Sequence, residues 1–492
     1  MKQHPLMSGV LAALLVNMSC GVAPARNNVP VMVKLTQYDR GSYCDLAVGP
    51  DGKLHAIFSD QPATDKPVYL YYRTSSDDGN TWSAPTNLSD DESGNAVGYA
   101  RVQFDAQGRL YAVWKYVDAH TLLDGPGGVA GGRLVYRCLA AGNWSKRVAL
   151  GDAKVPAYSW FLALAPNGVA HVVWSQMAKD AFEAQRWGSY NYADLVRQAT
   201  LDGANVAAVK DLVAPKPLLT KDQQDQMKAA GKYPKLEDTT PRQEGLYNLR
   251  GFVDARGAAH FVAEFPGIND GPSDAQTGRQ IMLWDGTKLS VIYNFEKFQT
   301  YNNFNNPPAL LLDAAGKQYF IRAPEKSEKP CVRDYPVDAA ELGDFTDIIR
   351  PKTGPGGLNN WQAHQLPGGR MAVTAALSEK GGWNPDDVEL YISYSSGDGK
   401  WSEPVVVKGS RAKKESFNKE TGGGNAVGAL YQYRPRFAAV AVAKDGKPCL
   451  LLVNTEDTIV GLTTAGVTGS GRAVAAMGSF RTDNPAVFFL KP

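Results

Sequence analysis

The sequence carries almost no net charge: 52 lysines and arginines stand against 50 acidic residues in 492. That balance removes the electrostatic footprint of a nucleic-acid binder or a membrane-surface protein, so a charged ligand must be met by a local cluster. Cysteine is scarce, five residues without a CxxC pair or a histidine at ligand spacing, and no structural zinc site is indicated. Disulfide pairing stays unassigned. For Cys138 and Cys449, inside apolar strands, a buried thiol is the simpler reading. No stretch is long enough to cross a membrane as a helix. No metal or cofactor is implied.

The longest apolar run, over 6–16, follows Lys2 and leads into small residues through Ala25, the layout of a secretory signal over 1–25. Two exits compete. One is cleavage after Ala25 in Val22-Ala23-Pro24-Ala25; the other is lipidation at Cys20 of Asn17-Met18-Ser19-Cys20, where Asn17 stands at a position such signals prefer to fill with Leu. The chain is expected to be exported, to the periplasm, the medium or the outer surface, and to act as a monomer.

What the sequence has in quantity is glycine (49), proline (30) and aromatics (Tyr 22, Phe 17, Trp 10), a composition suited to a turn-rich β protein. One pattern recurs: an apolar strand, a short polar turn ending in Gly, and a second apolar strand. The turn glycines are Gly52, Gly108, Gly168, Gly257, Gly316, Gly369 and Gly446, about 66 residues apart. Gly takes the φ > 0 position, and Val, Leu, Ile, Trp and Tyr fill the flanking strands. One such sheet cannot bury both faces, whereas radial stacking buries them and shelters the edges. An all-β propeller follows over 30–492, most simply of seven four-stranded blades, with six as the alternative. Closure is expected to borrow an end strand, 31–35 or 485–490. Insertions are expected at 176–245 and 403–430.

After the first hairpin comes Ser75-Ser76-Asp77-Asp78-Gly79-Asn80-Thr81-Trp82. It matches S-x-D-x-G-x-T-W at every position, and here the chain resembles the BNR/Asp-box, sialidase-like superfamily. Degenerate versions stand at Gly142-Asn143-Trp144 and Ser395-Ser396-Gly397-Asp398-Gly399-Lys400-Trp401. The box reads as a folding device, its Asp bonding turn N–H groups and its Trp packing beneath.

In a propeller the turn glycines share one rim and the starts of the inner strands share the other. The upper rim is then supplied by Tyr43, Asp45, Tyr99, Arg101, Tyr158, Tyr247, Arg250, Asn306, Asn360 and Arg436, with His364 further along its strand. Tyrosines offer stacking faces, Asn bridges hydroxyls and Arg forks onto carboxylates, a set suited to an acidic oligo- or polysaccharide. Propeller channels are also polar by default, and these arginines could simply pair with Asp45. His55, His171 and His260 each follow a turn glycine by three positions, and that locked recurrence means packing. Off-repeat His120 is the preferred histidine for proton transfer, and Asp65 and Glu264 are loop or strand-end carboxylates on the same rim.

The resemblance to sialidases implies an arginine triad, an Asp acid/base and a Tyr/Glu nucleophile pair. Asp65 stands near the expected acid position upstream of the first box and Glu264 with Arg279 has the Glu-then-Arg order, but the register of the first arginine holds Ser42-Tyr43-Cys44-Asp45, and no nucleophilic Tyr can be assigned. By analogy of architecture, polysaccharide lyases on similar propellers need only a neutralised carboxylate and a proton carrier. Arg101, Arg250 and Arg436 could neutralise a uronate while His120 or Tyr247 moves the proton. The expectation is a carbohydrate-active propeller, hydrolase or lyase, with a sialidase-like exo-glycosidase and a non-catalytic binding propeller as alternatives.

Overall fold

The computed structural model describes residues 31–38, 44–63, 66–89, 95–96, 100–117, 133–151, 157–176, 195–213, 222, 226, 229, 246–265, 268–269, 276–277, 280–294, 308–323, 331–337, 345–350, 357–378, 388–407, 438–443, 448–455 and 485–491. Within them the repeat folds as its pattern dictates. Gly52, Gly108, Gly168, Gly257, Gly316 and Gly369 all have φ between 71° and 85°, the left-handed region that a Cβ disfavours. Gly446 lies outside the described residues. In three of these turns the first residue is Asp105, Asp254 or Asp313, and one carboxylate oxygen accepts two backbone N–H groups of the turn at 2.8–2.9 Å.

The hairpins build a ring of antiparallel sheets. The inner strands, in chain order, are Cys44–Val48, Arg101–Phe104, Ala157–Leu164, Tyr247–Val253, Ala309–Leu312, Gly357–Gln365 and Ala438–Val442; each touches the next and the last touches the first. We number the blades 1 to 7 in that order. Six are regular four-stranded blades, and blade 2 is a broader six-stranded sheet in which Asn95–Ala96 and Asn143–Trp144 add short pairings. An apolar cluster fills each gap between neighbours, for example Tyr111, Val113, Trp160 and Trp174 between blades 2 and 3.

Two expected insertions turn out to carry blade strands. The stretch 176–245 supplies Leu195–Asp202 and Asn205–Val213, the outer pair of blade 3, and 403–430 begins with Val405–Val407, the outer strand of blade 6. Asn205–Val213 is exposed along most of its length, so it lacks the half-buried alternation that marks a strand.

Both candidate closing segments are used, in one blade. Val31–Lys34 pairs with Pro485–Lys491, Val31 opposite Lys491 and Lys34 opposite Phe488, and becomes the outermost strand of blade 7. Buried Asp60, at the upper end of Leu54–Asp60, then latches the following segment, its carboxylate accepting from the N–H groups of Gln37 (2.8 Å) and Tyr38 (2.9 Å). Val31 therefore sits at the lower rim, beside the turns.

The turn over 75–82 is a self-contained knot on that rim. Asp77 accepts from Thr81 N (2.9 Å) and Thr81 Oγ1 (2.6 Å) and from Ser75 Oγ (2.7 Å), while Ser75 Oγ accepts from Gly79 N (2.9 Å). These bonds, Thr81 first, hold the Asp77 carboxyl down at about 2. Trp82 donates to Gly79 O (3.0 Å) and meets Phe489 of blade 7 edge-on. The degenerate turns do the same toward their own preceding blades: Trp144 packs edge-on against Tyr72, and Trp401 Nε1 donates to Asp334 (2.8 Å).

Candidate functional site

Residues seven positions before a turn glycine fall at one depth along the inner strands. Asp45, Arg101 and Arg250 occupy that level in blades 1, 2 and 4, and His364 stands two positions lower in blade 6. Burial first, then the charges of Arg101 and Arg250, push the His364 imidazole down to about 3. The same Arg101 charge reaches Asp45 and Cys44 in blade 1. Groups from blades 1, 2, 4 and 6 thus lie within electrostatic reach of Arg101 or Arg250.

Each member is held by its own blade or by a neighbour. Asp45 Oδ2 accepts from Val102 N at 2.8 Å, stitching blade 1 to blade 2, and burial raises its carboxyl pKa despite Arg101. Arg101 Nη1 reaches back to Ala100 O (3.3 Å), and Arg250 Nη1 to Leu249 O (2.8 Å). His364 Nε2 lies 3.5 Å from Thr374 Oγ1. At neutral pH the described cluster is two guanidiniums, one carboxyl and an uncharged imidazole, groups whose chemistry suits an anion and a hydrogen-bonded hydroxyl.

The other expected site residues divide into two sets. Tyr43, Asp65, Tyr99, His120, Asn306 and Arg436 lie outside the described residues. For Tyr158, Tyr247, Glu264 and Asn360 the backbone lies in strands, with Tyr247 opposite Glu264, and their side chains lie outside the described part. The repeat-locked histidines are packing residues on the lower rim. His55 Nδ1 meets Tyr72 Oη at 2.8 Å, His171 Nδ1 meets Gln198 Nε2 at 3.0 Å, and His260 Nε2 meets Asp254 at 3.2 Å. Burial pushes the pKa of His55 and of His171 down to about 4. Cys44, Cys138, Cys331 and Cys449 are buried thiols.

Two residues escaped sequence reasoning. Lys115 is buried in Leu110–Val117, two positions beyond Val113, which pairs with Arg101, so both side chains lie on one face of blade 2. Burial pushes its ammonium down to about 8. The available signal was a lone lysine in the apolar run Leu110-Tyr111-Ala112-Val113-Trp114-Lys115. The second is Asn248, the residue of the inner strand of blade 4 with φ +56°.

No helix among the described residues is long and apolar enough to cross a membrane. No family model matches the sequence, and no curated protein matches it. Among solved structures the chain is similar to the Hadza microbial sialidase Hz136, at 10% identity over 84% of this chain and 63% of that one, with a TM-score of 0.37. It is also similar to an alpha-L-arabinanase of Penicillium chrysogenum solved with arabinobiose (14% identity, 71% of this chain and 92% of that one, TM-score 0.42). A third is the polysaccharide lyase Uly1 (14% identity, 72% and 77%, TM-score 0.42). The chain spans less than two thirds of the length of the Hadza sialidase.

Proposed function

We propose that the axial mouth binds an acidic saccharide, a uronate or sialate unit of a glycan, with Arg101 and Arg250 taking the carboxylate and neutral His364 a ring hydroxyl. The observation that carries this reading is that guanidiniums from two separate blades both act on one half-buried imidazole, with Asp45 the nearby carboxyl whose ionisation is disfavoured. Such a cluster is net cationic and, being sheltered, binds charge more strongly than a solvated pair. An exported chain with this site acts on or captures acidic glycan outside the cytoplasm.

Turnover requires a proton carrier. His364 does not supply a charged acid near neutral pH, because its imidazole takes a proton only near 3. A hydrolase or lyase reading therefore rests on His120, Tyr247, Asp65 or Glu264, with Lys115 as a further amine on the Arg101 face. The same observation favours a second reading, a glycan-binding propeller without catalysis.

The test is calorimetric titration with glucuronate, galacturonate and sialoside oligosaccharides, alongside assays for released sugar and for the ultraviolet absorbance of unsaturated uronates. Arg101→Ala with Arg250→Ala is expected to weaken binding at least about tenfold. Unchanged affinity in the double variant would retire the clamp. Product in the assays, lost in a folded His120→Ala protein, selects the enzyme; binding without product selects the module.

A further inference from the structure

Three inner strands lose register at their upper ends. In blade 3 Ala157 pairs with Gln176 and Ser159 with Ser175; in blade 6 Leu358 pairs with Leu377 and Asn360 with Ala376. In blade 4 Tyr247 pairs with Glu264 and Arg250 with Val262, so that Asn248 and Leu249 together face the single residue Ala263. Each is a one-residue bulge, a device that re-aims the chain and uncouples backbone groups from the ladder.

Blade 4 uses both uncoupled groups of Leu249. Its N–H donates to Ser159 Oγ of blade 3 at 2.7 Å, and its carbonyl accepts from the guanidinium of Arg250 at 2.8 Å. Asn248 sits at φ +56°, where Asn is tolerated and a β-branched residue is not. Arg101 stands at the equivalent level of blade 2, and its contact with the preceding carbonyl is longer, 3.3 Å.

We infer that Asn248 is the positioning residue of the anion site: its left-handed backbone turns the Leu249 carbonyl onto Arg250 and sets where that guanidinium meets the ligand. The assignment rests on the acidic-saccharide reading for its ligand, and on backbone geometry alone for its effect on Arg250. Glycine takes the same φ without strain, so it keeps the backbone turn that this role requires. Valine cannot hold that conformation and forces the strand back into register.

The experiment compares Asn248→Gly, Asn248→Val and the milder Asn248→Ala, each checked for folding by circular dichroism. Two readouts are taken: affinity for a galacturonate oligosaccharide, and the rate at which phenylglyoxal modifies Arg250 relative to Arg101, mapped by mass spectrometry. Asn248→Gly is expected to stay within about twofold of the parent on both. Asn248→Val is expected to lose roughly tenfold in affinity and to change the relative reactivity of Arg250 several-fold, with Asn248→Ala in the same direction. Should valine fail to fold, the alanine variant decides. Unchanged Arg250 reactivity in the folded valine or alanine variant, or equal change in glycine and alanine, overturns the inference. If the parent binds none of the glucuronate, galacturonate and sialoside oligosaccharides, the acidic-saccharide reading falls, and the arginine reactivity still judges the role of Asn248.

Discussion

At the scale of single residues, the histidines set the response to acid. Unfolded imidazoles take protons near 6.5, whereas His55 and His171 do so only near 4 and His364 near 3. Between those values the unfolded chain binds more protons, so stability present above about pH 6.5 is lost as the pH falls. The unfolding free energy from urea titration is expected to drop steadily from pH 6.5 to 4, by about 1–3 kcal/mol per ring at most. A flat profile over that window would contradict the burial of these rings. Asp77 and Asp254, held down at about 2, contribute in a separate window: their share is present above 3.8 and goes only as the pH falls through about 2. The locked spacing after each turn glycine made the packing role of His55, His171 and His260 legible. Lys115 was not, because one lysine in an apolar run reads the same whether its amine ends in solvent or between two blades.

At the scale of elements, the turns were the most legible part of the chain. The motif over 75–82 names its own bonds, since Ser, Asp, Gly, Thr and Trp stand where the knot needs them. What the motif does not announce is its partner. A Cβ on Gly79 would meet the Phe489 ring, and the glycine holds φ +90°, so Gly79→Ala strains the turn and pushes blade 1 away from blade 7. A loss of about 2–4 kcal/mol in chemical denaturation is expected, with the far-ultraviolet signal of the remaining sheets intact. The bulges were illegible for a different reason: one extra residue in a strand alters no composition and little periodicity. Only the pairing of Arg250 with Val262 and Tyr247 with Glu264 reveals it.

For the whole molecule, ring closure is the step that joins distant parts of the sequence. The closing strand adds one sheet edge to blade 7, and Asp60 of blade 1 fixes the segment that follows it. Asp60→Ala leaves the N–H groups of Gln37 and Tyr38 without that acceptor. We expect a loss of about 1–3 kcal/mol, while removal of 31–34 should expose the edge of Pro485–Lys491 and promote aggregation, read by light scattering. A monomeric, fully cooperative truncated protein would show that the ring does not depend on its clasp. The periodic glycines foretold radial wrapping, and the level shared by Asp45, Arg101 and Arg250 followed from it. Which end segment closes the ring could not be read, because both are short, apolar and equally able to pair.

The polarity of that clasp has a consequence for orientation. Val31 enters beside the hairpin turns, and its partner Lys491 leaves there too, so both ends of the folded body lie on the side away from Arg101 and Arg250. An attachment through the residues ahead of Val31 would therefore hold the protein by its turn side, with the rim that carries Arg101 and Arg250 facing away from the point of attachment.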